Sequence, residues 1–114
     1  MAKLKINRGT TYVISVQYQE DGVNTSLSGA TVRFTAKTEE YTTSTTDADA
    51  VITKNVTDGT AEGVATITID PADTATLVPD KYFYDIKVAL PTGQVYKIDE
   101  GQILLDGSPT NRLA

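Results

Sequence analysis

Residues 81–90 read KYFYDIKVAL, and the alternation within this stretch decides the class of fold. Its even positions carry large apolar or aromatic side chains: Tyr82, Tyr84, Ile86, Val88 and Leu90. Its odd positions carry Lys81, Phe83, Asp85, Lys87 and Ala89. A period of two is typical of a strand with one buried face, because successive side chains of a strand point to opposite sides. Since prolines punctuate both ends of the stretch, the sequence predicts a well-bounded strand whose even side chains enter the core.

The size and composition of the chain predict one folded domain. It has 114 residues, of which 39% are hydrophobic and 22% charged, as in ordinary globular proteins. A chain of this length can bury a core without disulfides or a structural metal. We expect a single β-sandwich domain over residues 1–106, followed by a C-terminal tail over residues 107–114 that lacks any pattern.

Missing residue types and net charge exclude several function classes. The chain contains no Cys and no His, which removes thiolate nucleophiles, the usual general base and the usual zinc ligands. No nucleophile motif or phosphate loop is present, so we expect neither an enzyme nor a bound cofactor. The net charge of −5 argues against a nucleic-acid partner. No apolar run is long enough to span a membrane, so no membrane partner is expected either.

Alternating patterns elsewhere predict further strands. They cover residues 3–6, 11–19, 30–37, 51–57, 64–69 and 95–105. Asp21-Gly22 is typical of a tight hairpin turn. The segments 51–57 and 64–69 are predicted to form a second hairpin through residues 58–63. In the last strand the apolar positions change parity around Gly101, which predicts a β-bulge at that glycine.

Two segments depart from the strand pattern. Asp70, Pro71 and Asp73 form a helix-start signal, which predicts one or two helical turns over residues 71–77 as a crossover into the following strand. Residues 38–50 are polar, acidic and without periodicity, which predicts a long exposed loop. This loop is either an inert surface segment or a contact loop anchored by Tyr41.

These elements together predict an all-β fold. The expected architecture is an immunoglobulin-like two-layer antiparallel β-sandwich of about seven to eight strands with one short helical crossover. A small closed barrel is the alternative, because the sequence does not determine which strands pair.

The candidate functional residues are contact residues. Phe83 lies opposite the core-facing side chains of its strand, and a large aromatic residue on an outer face is typical of an inter-subunit contact. Tyr41 and the two ends of the chain, represented by Leu4 and Arg112, complete the predicted interface. The acidic residues of the 38–50 loop have the oxygen ligands that Ca²⁺ prefers, but their spacing matches no calcium loop, and we expect no metal site.

The order of several motifs resembles a known protein family. The stretches are KINRGT over residues 5–10, DGV over 21–23, LSGATVRF over 27–34, GVATITI over 63–69, PADT over 71–74 and YFYDI over 82–86 before a Pro-Thr-Gly turn. In this order they resemble small β-sandwich proteins of tailed bacteriophages, and the sequence is similar to the N-terminal domain of phage baseplate upper proteins. The resemblance covers nearly the whole chain, and we expect a single domain without the receptor-binding or coiled-coil extension of the multi-domain baseplate proteins.

The resemblance implies a non-enzymatic structural subunit of the virion, in the tail or baseplate, the neck or the head. Its partners would be other virion proteins and copies of itself, and it would be assembled in the cytoplasm of the host bacterium. An adhesion or carbohydrate-binding module on the virion surface is the alternative, which the tyrosines and the threonine-rich loop favour.

Overall fold

A computed structural model describes residues 2–38 and 49–107. The strands within these residues are β1 (Ala2–Asn7), β2 (Tyr12–Gln17), β3 (Gln19–Glu20), β4 (Val23–Asn24), β5 (Thr31–Lys37), β6 (Ile52–Val56), β7 (Val64–Ile69), β8 (Lys81–Ala89) and β9 (Val95–Asp106), and the helix is α1 (Pro71–Thr74). The described residues contain no helix that could cross a membrane. The fold is all-β, as the alternating patterns predict.

Two sheets of unequal size face each other across the core. The larger sheet has five strands in the order β1-β9-β8-β5-β6, and the smaller one pairs β2 with β7. A short β3–β4 hairpin stands apart from both. The chain is therefore a two-layer, immunoglobulin-like β-sandwich, and β8 lies at the centre of its larger layer.

The even-numbered side chains of β8 pack in the core. Tyr82, Tyr84, Ile86 and Val88 are all buried. The ring of Tyr84 stacks on that of Phe34 in the neighbouring β5, with a centroid separation of 5.4 Å and an interplanar angle of 22°. Across the core, the smaller sheet contributes Ile67 and Ile69, which are fully buried. Burial on this scale is the main source of stability for a chain without disulfides.

One strand pairing is parallel, whereas the sequence predicts an antiparallel sandwich. β1 runs parallel to β9, with Leu4 opposite Ile103 and Ile6 opposite Leu105. No short turn ties these two strands together, so their relative direction is not set by a hairpin. The observed register places apolar side chains beside apolar side chains on the inner face.

The predicted hairpin between residues 51–57 and 64–69 is wrong. β6 pairs with β5 in the larger sheet, whereas β7 pairs with β2 in the smaller one. The connection between them crosses from one layer to the other and is held by hydrogen bonds from Tyr18 N to Gly63 O (2.7 Å) and from Leu27 N to Thr60 O (3.0 Å). Both segments have the alternation of a one-sided strand, and alternation alone does not identify the partner strand.

The parity change in β9 occurs three residues before the predicted glycine. Gly101 pairs regularly with Tyr84, whereas the register shifts between Ile86 and Lys87. Ile86 lies opposite Asp99 and Lys87 opposite Lys97, so Ile98 is the extra residue of the bulge. The sequence therefore predicts the change of face correctly and its position incorrectly.

The helical crossover is shorter than predicted. α1 ends at Thr74, and the Asp70 N–H donates to the Asp73 carboxylate at 2.7 Å, which supports the first turn. Lys54 of β6 lies 3.1 Å from Asp70 and 2.7 Å from Asp73. These hydrogen bonds raise the pKa of Lys54, mainly through Asp73. The two ion pairs connect the crossover to the edge of the larger sheet.

Candidate interaction surfaces

The predicted contact residue Phe83 lies on the outer face of the larger sheet. It is half-buried, with Lys37 of β5 on one side and Gln102 of β9 on the other. Lys37 is held by Asp49, at an Nζ to Oδ1 distance of 2.9 Å. Among the described residues, both cross-strand neighbours of Phe83 are therefore polar, and its role as a partner contact stays a prediction.

Of the other three predicted contact residues, one packs against the core and two lie outside the described residues. Leu4 lies on the inner side of β1 and packs against the buried core, so its apolar character is already explained by packing within the chain. Tyr41 and Arg112 lie outside the described residues, as do most of the acidic loop and the tail. Among the described residues, no group of three or more acidic side chains is placed to hold a metal ion.

Charged side chains mark much of the outer face of the larger sheet. Lys87 lies opposite both Arg33 and Lys97, and Asp85 lies opposite Glu100. A shallow groove of about 390 Å³ runs beside Arg33 and Lys87. A surface of this kind is well solvated, and burying it against a partner requires compensating charges.

The smaller sheet is different because none of its residues is charged. β2 reads YVISVQ and β7 reads VATITI. The solvent-facing side chains of the pair are Val13, Ser15 and Gln17 opposite Thr68, Thr66 and Val64. Val13 is 57% exposed. The outer surface of this sheet can therefore be covered by another protein without desolvating a charge of its own.

Within the described part of the chain, the outer edge of β2 has no strand beside it. β2 is hydrogen-bonded to β7 alone. The edge strands of the larger sheet, β1 and β6, carry lysines, namely Lys3, Lys5 and Lys54. Lysines on edge strands discourage pairing with another chain, and β2 has no such protection. β2 and β7, the two edges of the smaller sheet, are therefore the described edges most able to accept an added strand.

A second surface feature is a cleft at the end of the sandwich where β8 turns into β9. Its volume is about 710 Å³, and it lies between residues 17–21 on one side and Gln94, Tyr96, Lys97 and Ile98 on the other. We call it the Tyr96 cleft. Tyr96 lies opposite the buried Val88 and is nevertheless 42% exposed.

Tyr18 and Glu20 form a fixed pair in the Tyr96 cleft. The Tyr18 hydroxyl donates to Glu20 Oε1 at 2.8 Å, and only 3% of Tyr18 is exposed. Burial, together with the hydrogen bond to Glu20, raises the pKa of Tyr18 to about 12. The hydroxyl therefore stays protonated at neutral pH and keeps the Glu20 carboxylate in place.

Sequence reasoning places Tyr18 on an inner face, but it does not predict either surface. The absence of charge in β2 and β7 is visible in the sequence, yet its meaning depends on these two strands forming one sheet. The Tyr96 cleft depends on the bulge at Ile98, which the alternation locates three residues too late.

Comparisons with known proteins bear on the fold alone. No family model matches the chain, and no curated protein matches it. Among solved structures, it is similar to the PmoD soluble domain from Methylocystis sp. ATCC 49242 (Rockwell), with a TM-score of 0.50 and 7% identity over 90% of this chain and 77% of that one. It also aligns with a structure of VGSC beta subunits from work on their multimeric cell-adhesive interactions, with a TM-score of 0.46 and 10% identity over 96% of this chain and 93% of that one.

Proposed function

We propose that the chain is a non-enzymatic structural subunit of a tailed-phage virion, which packs against copies of itself and against other virion proteins. The order of the sequence motifs supports the virion setting. One observation supports the packing role. The sheet of β2 and β7 has no charged residues, and among the described residues no further strand pairs with its edges. The subunit would be assembled in the cytoplasm of the host and retained in the finished particle.

The occupant of the β2 edge is a second copy of the same strand. Two β2 strands placed antiparallel would extend two small sheets into one of four strands and would satisfy the backbone donors and acceptors on both edges. The pairing is isologous, because the same strand contributes from each copy. Since β2 carries no charge, bringing two copies together creates no repulsion within the strand pair.

Alternative edges for self-pairing are less favourable. A second copy of β1 would bring Lys3 and Lys5 against their own counterparts. β6 carries Lys54, which is already engaged with Asp70 and Asp73. Like charges directly opposite each other destabilise a strand pair. The absence of charge therefore favours the smaller sheet, of which β2 and β7 are the two edges.

Sedimentation velocity of the purified chain over a concentration series tests the packing role. We expect reversible self-association in the unmodified chain and monomers for Val13→Lys, because a lysine on this strand opposes strand addition. Val95→Lys is the matched control, since Val95 is as exposed as Val13 but lies on the larger sheet. It should associate like the unmodified chain.

Two results would overturn the proposal. A chain that stays monomeric at its highest soluble concentration does not pair through β2. Absence of the protein from purified virions, measured by quantitative mass spectrometry, excludes a virion subunit whatever its behaviour in solution.

A further inference from the structure

The β9 wall of the Tyr96 cleft contains a β-bulge at Ile98. The bulge at Ile98 changes which face of β9 the following residues occupy. Beyond the bulge towards the C-terminus, odd-numbered residues face the core, as the buried Gly101, Ile103 and Leu105 show. Before the bulge, Tyr96 is on that inner side, opposite Val88. Bulges commonly re-aim a side chain in this way beside functional sites.

The Tyr96 side chain, on the inner side of the sheet before the bulge, is not buried in the core. Tyr96 is 42% exposed, whereas its partner Val88 is fully buried. Its ring lines the cleft together with Tyr18 and the half-buried Ile98. An exposed aromatic ring in a concave site is an apolar platform with a polar tip.

Polar groups with fixed positions surround this platform. Gln17 Nε2 donates to Glu62 O at 2.8 Å and to Tyr18 O at 3.3 Å, which holds its side-chain amide in place. Glu20 is held by the Tyr18 hydroxyl at 2.8 Å. At the opposite wall, the turn before Tyr96 is closed by a 2.8 Å hydrogen bond from Leu90 N to Gln94 O. A site whose groups are already ordered loses less entropy when a ligand binds.

The charges around the cleft determine the class of ligand. Glu20 and Asp21 contribute two carboxylates. Among the described residues, Lys97 is the one cation that lines the cleft, and its Nζ lies 2.9 Å from Glu100 Oε2. An anionic ligand would meet these carboxylates, whereas a neutral polyhydroxylated ligand can donate hydroxyl groups to them.

We propose that the Tyr96 cleft binds a neutral oligosaccharide. A sugar ring would place its C–H face on the Tyr96 ring and direct its hydroxyls to Glu20 and the Gln17 amide. The cleft volume of about 710 Å³ is within the range of small-ligand sites and has room for more than one ring. The site adds a ligand to the proposed packing role and uses a different part of the surface from Val13.

A fluorescently labelled full-length chain, applied to a microarray of neutral and acidic glycans, tests this proposal. We expect binding to neutral glycans, confirmed for the strongest of them by calorimetric titration. Tyr96→Ala should weaken that affinity by about tenfold or more, because it removes the aromatic platform. Tyr96→Phe keeps the ring and should bind with an affinity close to that of the unmodified chain.

Val95→Ala is the matched control for Tyr96→Ala, because it truncates a side chain in the same hairpin of β8 and β9. Val95 is the neighbouring residue, pairs with Ala89 and lies on the outer face of the larger sheet. Its truncation should leave the affinity unchanged, and ¹H–¹⁵N spectra should show that all three variants are folded. No binding to any glycan, binding to acidic glycans only, or equal affinity for Tyr96→Ala and the unmodified chain would overturn the proposal.

Discussion

At the scale of single residues, Tyr84 and Phe83 have different roles within one strand. Tyr84 is buried, stacks on Phe34 and donates from its hydroxyl to Asp99 Oδ2 at 3.2 Å. Phe83 is the next residue, and it lies on the outer face among polar neighbours. Adjacent aromatic residues in β8 therefore contribute unequally to the stability of the isolated domain.

Tyr84→Ala should lower the free energy of unfolding by about 3–5 kcal/mol, the usual cost of truncating a buried aromatic side chain. Phe83→Ala should cost about 1 kcal/mol in the isolated domain, because Phe83 lies on the outer face and is only partly buried. Urea denaturation followed by circular dichroism measures both. Equal losses would contradict this division, and a Tyr84→Phe variant separates the hydroxyl contribution from that of the ring.

Alkaline pH should destabilise the domain through its buried tyrosines. Burial raises the pKa values of both Tyr18 and Tyr84 from 10.0 to about 12, and hydrogen bonds to Glu20 and Asp99 add to the effect. Between these values the unfolded chain releases protons that the folded chain retains, so the free energy of unfolding falls as the pH rises. Well below pH 10 both the folded and the unfolded chain keep these protons, so Tyr18 and Tyr84 do not change the free energy of unfolding there.

Denaturation midpoints measured between about pH 9 and 12 test this expectation. The double variant Tyr18→Phe and Tyr84→Phe has neither phenol and should show a shallower decline over the same interval. A decline of equal steepness in the double variant would show that other groups cause the alkaline loss.

At the scale of elements, the connection from β6 to β7 depends on a close approach at Gly63. Gly63 has φ of +86°, and a Cβ there would lie 2.4 Å from Thr25 O and 2.7 Å from Tyr18 O. The chain passes from the larger sheet to the smaller one at this point. Any side chain at position 63 would push the crossing segment away from Tyr18 and Thr25.

Gly63→Ala should therefore destabilise the domain by about 3 kcal/mol or more, since it combines an unfavourable φ with two backbone clashes. Gly93→Ala is a matched control, because Gly93 has φ of +94° but open space where the Cβ would be. It should cost only about 1–2 kcal/mol. Thermal unfolding of both variants gives the comparison, and equal losses would show that the close approach contributes nothing.

At the scale of the whole molecule, the two proposed surfaces meet at Gln17, the last residue of β2. Val13 is four residues before Gln17, a separation of about 13 Å along an extended strand. Glu20, one of the two carboxylates of the cleft, follows in the short β3 strand. Gln17 belongs to both surfaces, whereas Val13 and Tyr96 each belong to one, so substitutions at Val13 and Tyr96 distinguish the two properties.

Each variant should then affect one property alone. Val13→Lys should abolish self-association and leave the glycan affinity unchanged, whereas Tyr96→Ala should do the reverse. Sedimentation velocity and calorimetric titration of both variants measure the two properties independently. Loss of both properties in either variant would show that the surfaces are coupled, or that the variant is misfolded.

Local sequence patterns predict much of the fold. The period of two in β8 predicts the strand and its buried face, and Asp21-Gly22 predicts the turn where Asp21 and Gly22 have φ of 52° and 78°. The capped start of α1 at Asp70 is likewise a local signal. These features depend on residues close in sequence, whose backbone preferences act regardless of what packs against them.

The pairing of strands and the surfaces that follow from it were decided only by the tertiary structure. β6 and β7 have similar alternation, yet they belong to different layers, because the partner of a strand depends on long-range packing. β1 runs parallel to β9 for the same reason. The charge-free sheet exists only once β2 meets β7, and the Tyr96 cleft exists only because β8 imposes a register that leaves Ile98 as an extra residue.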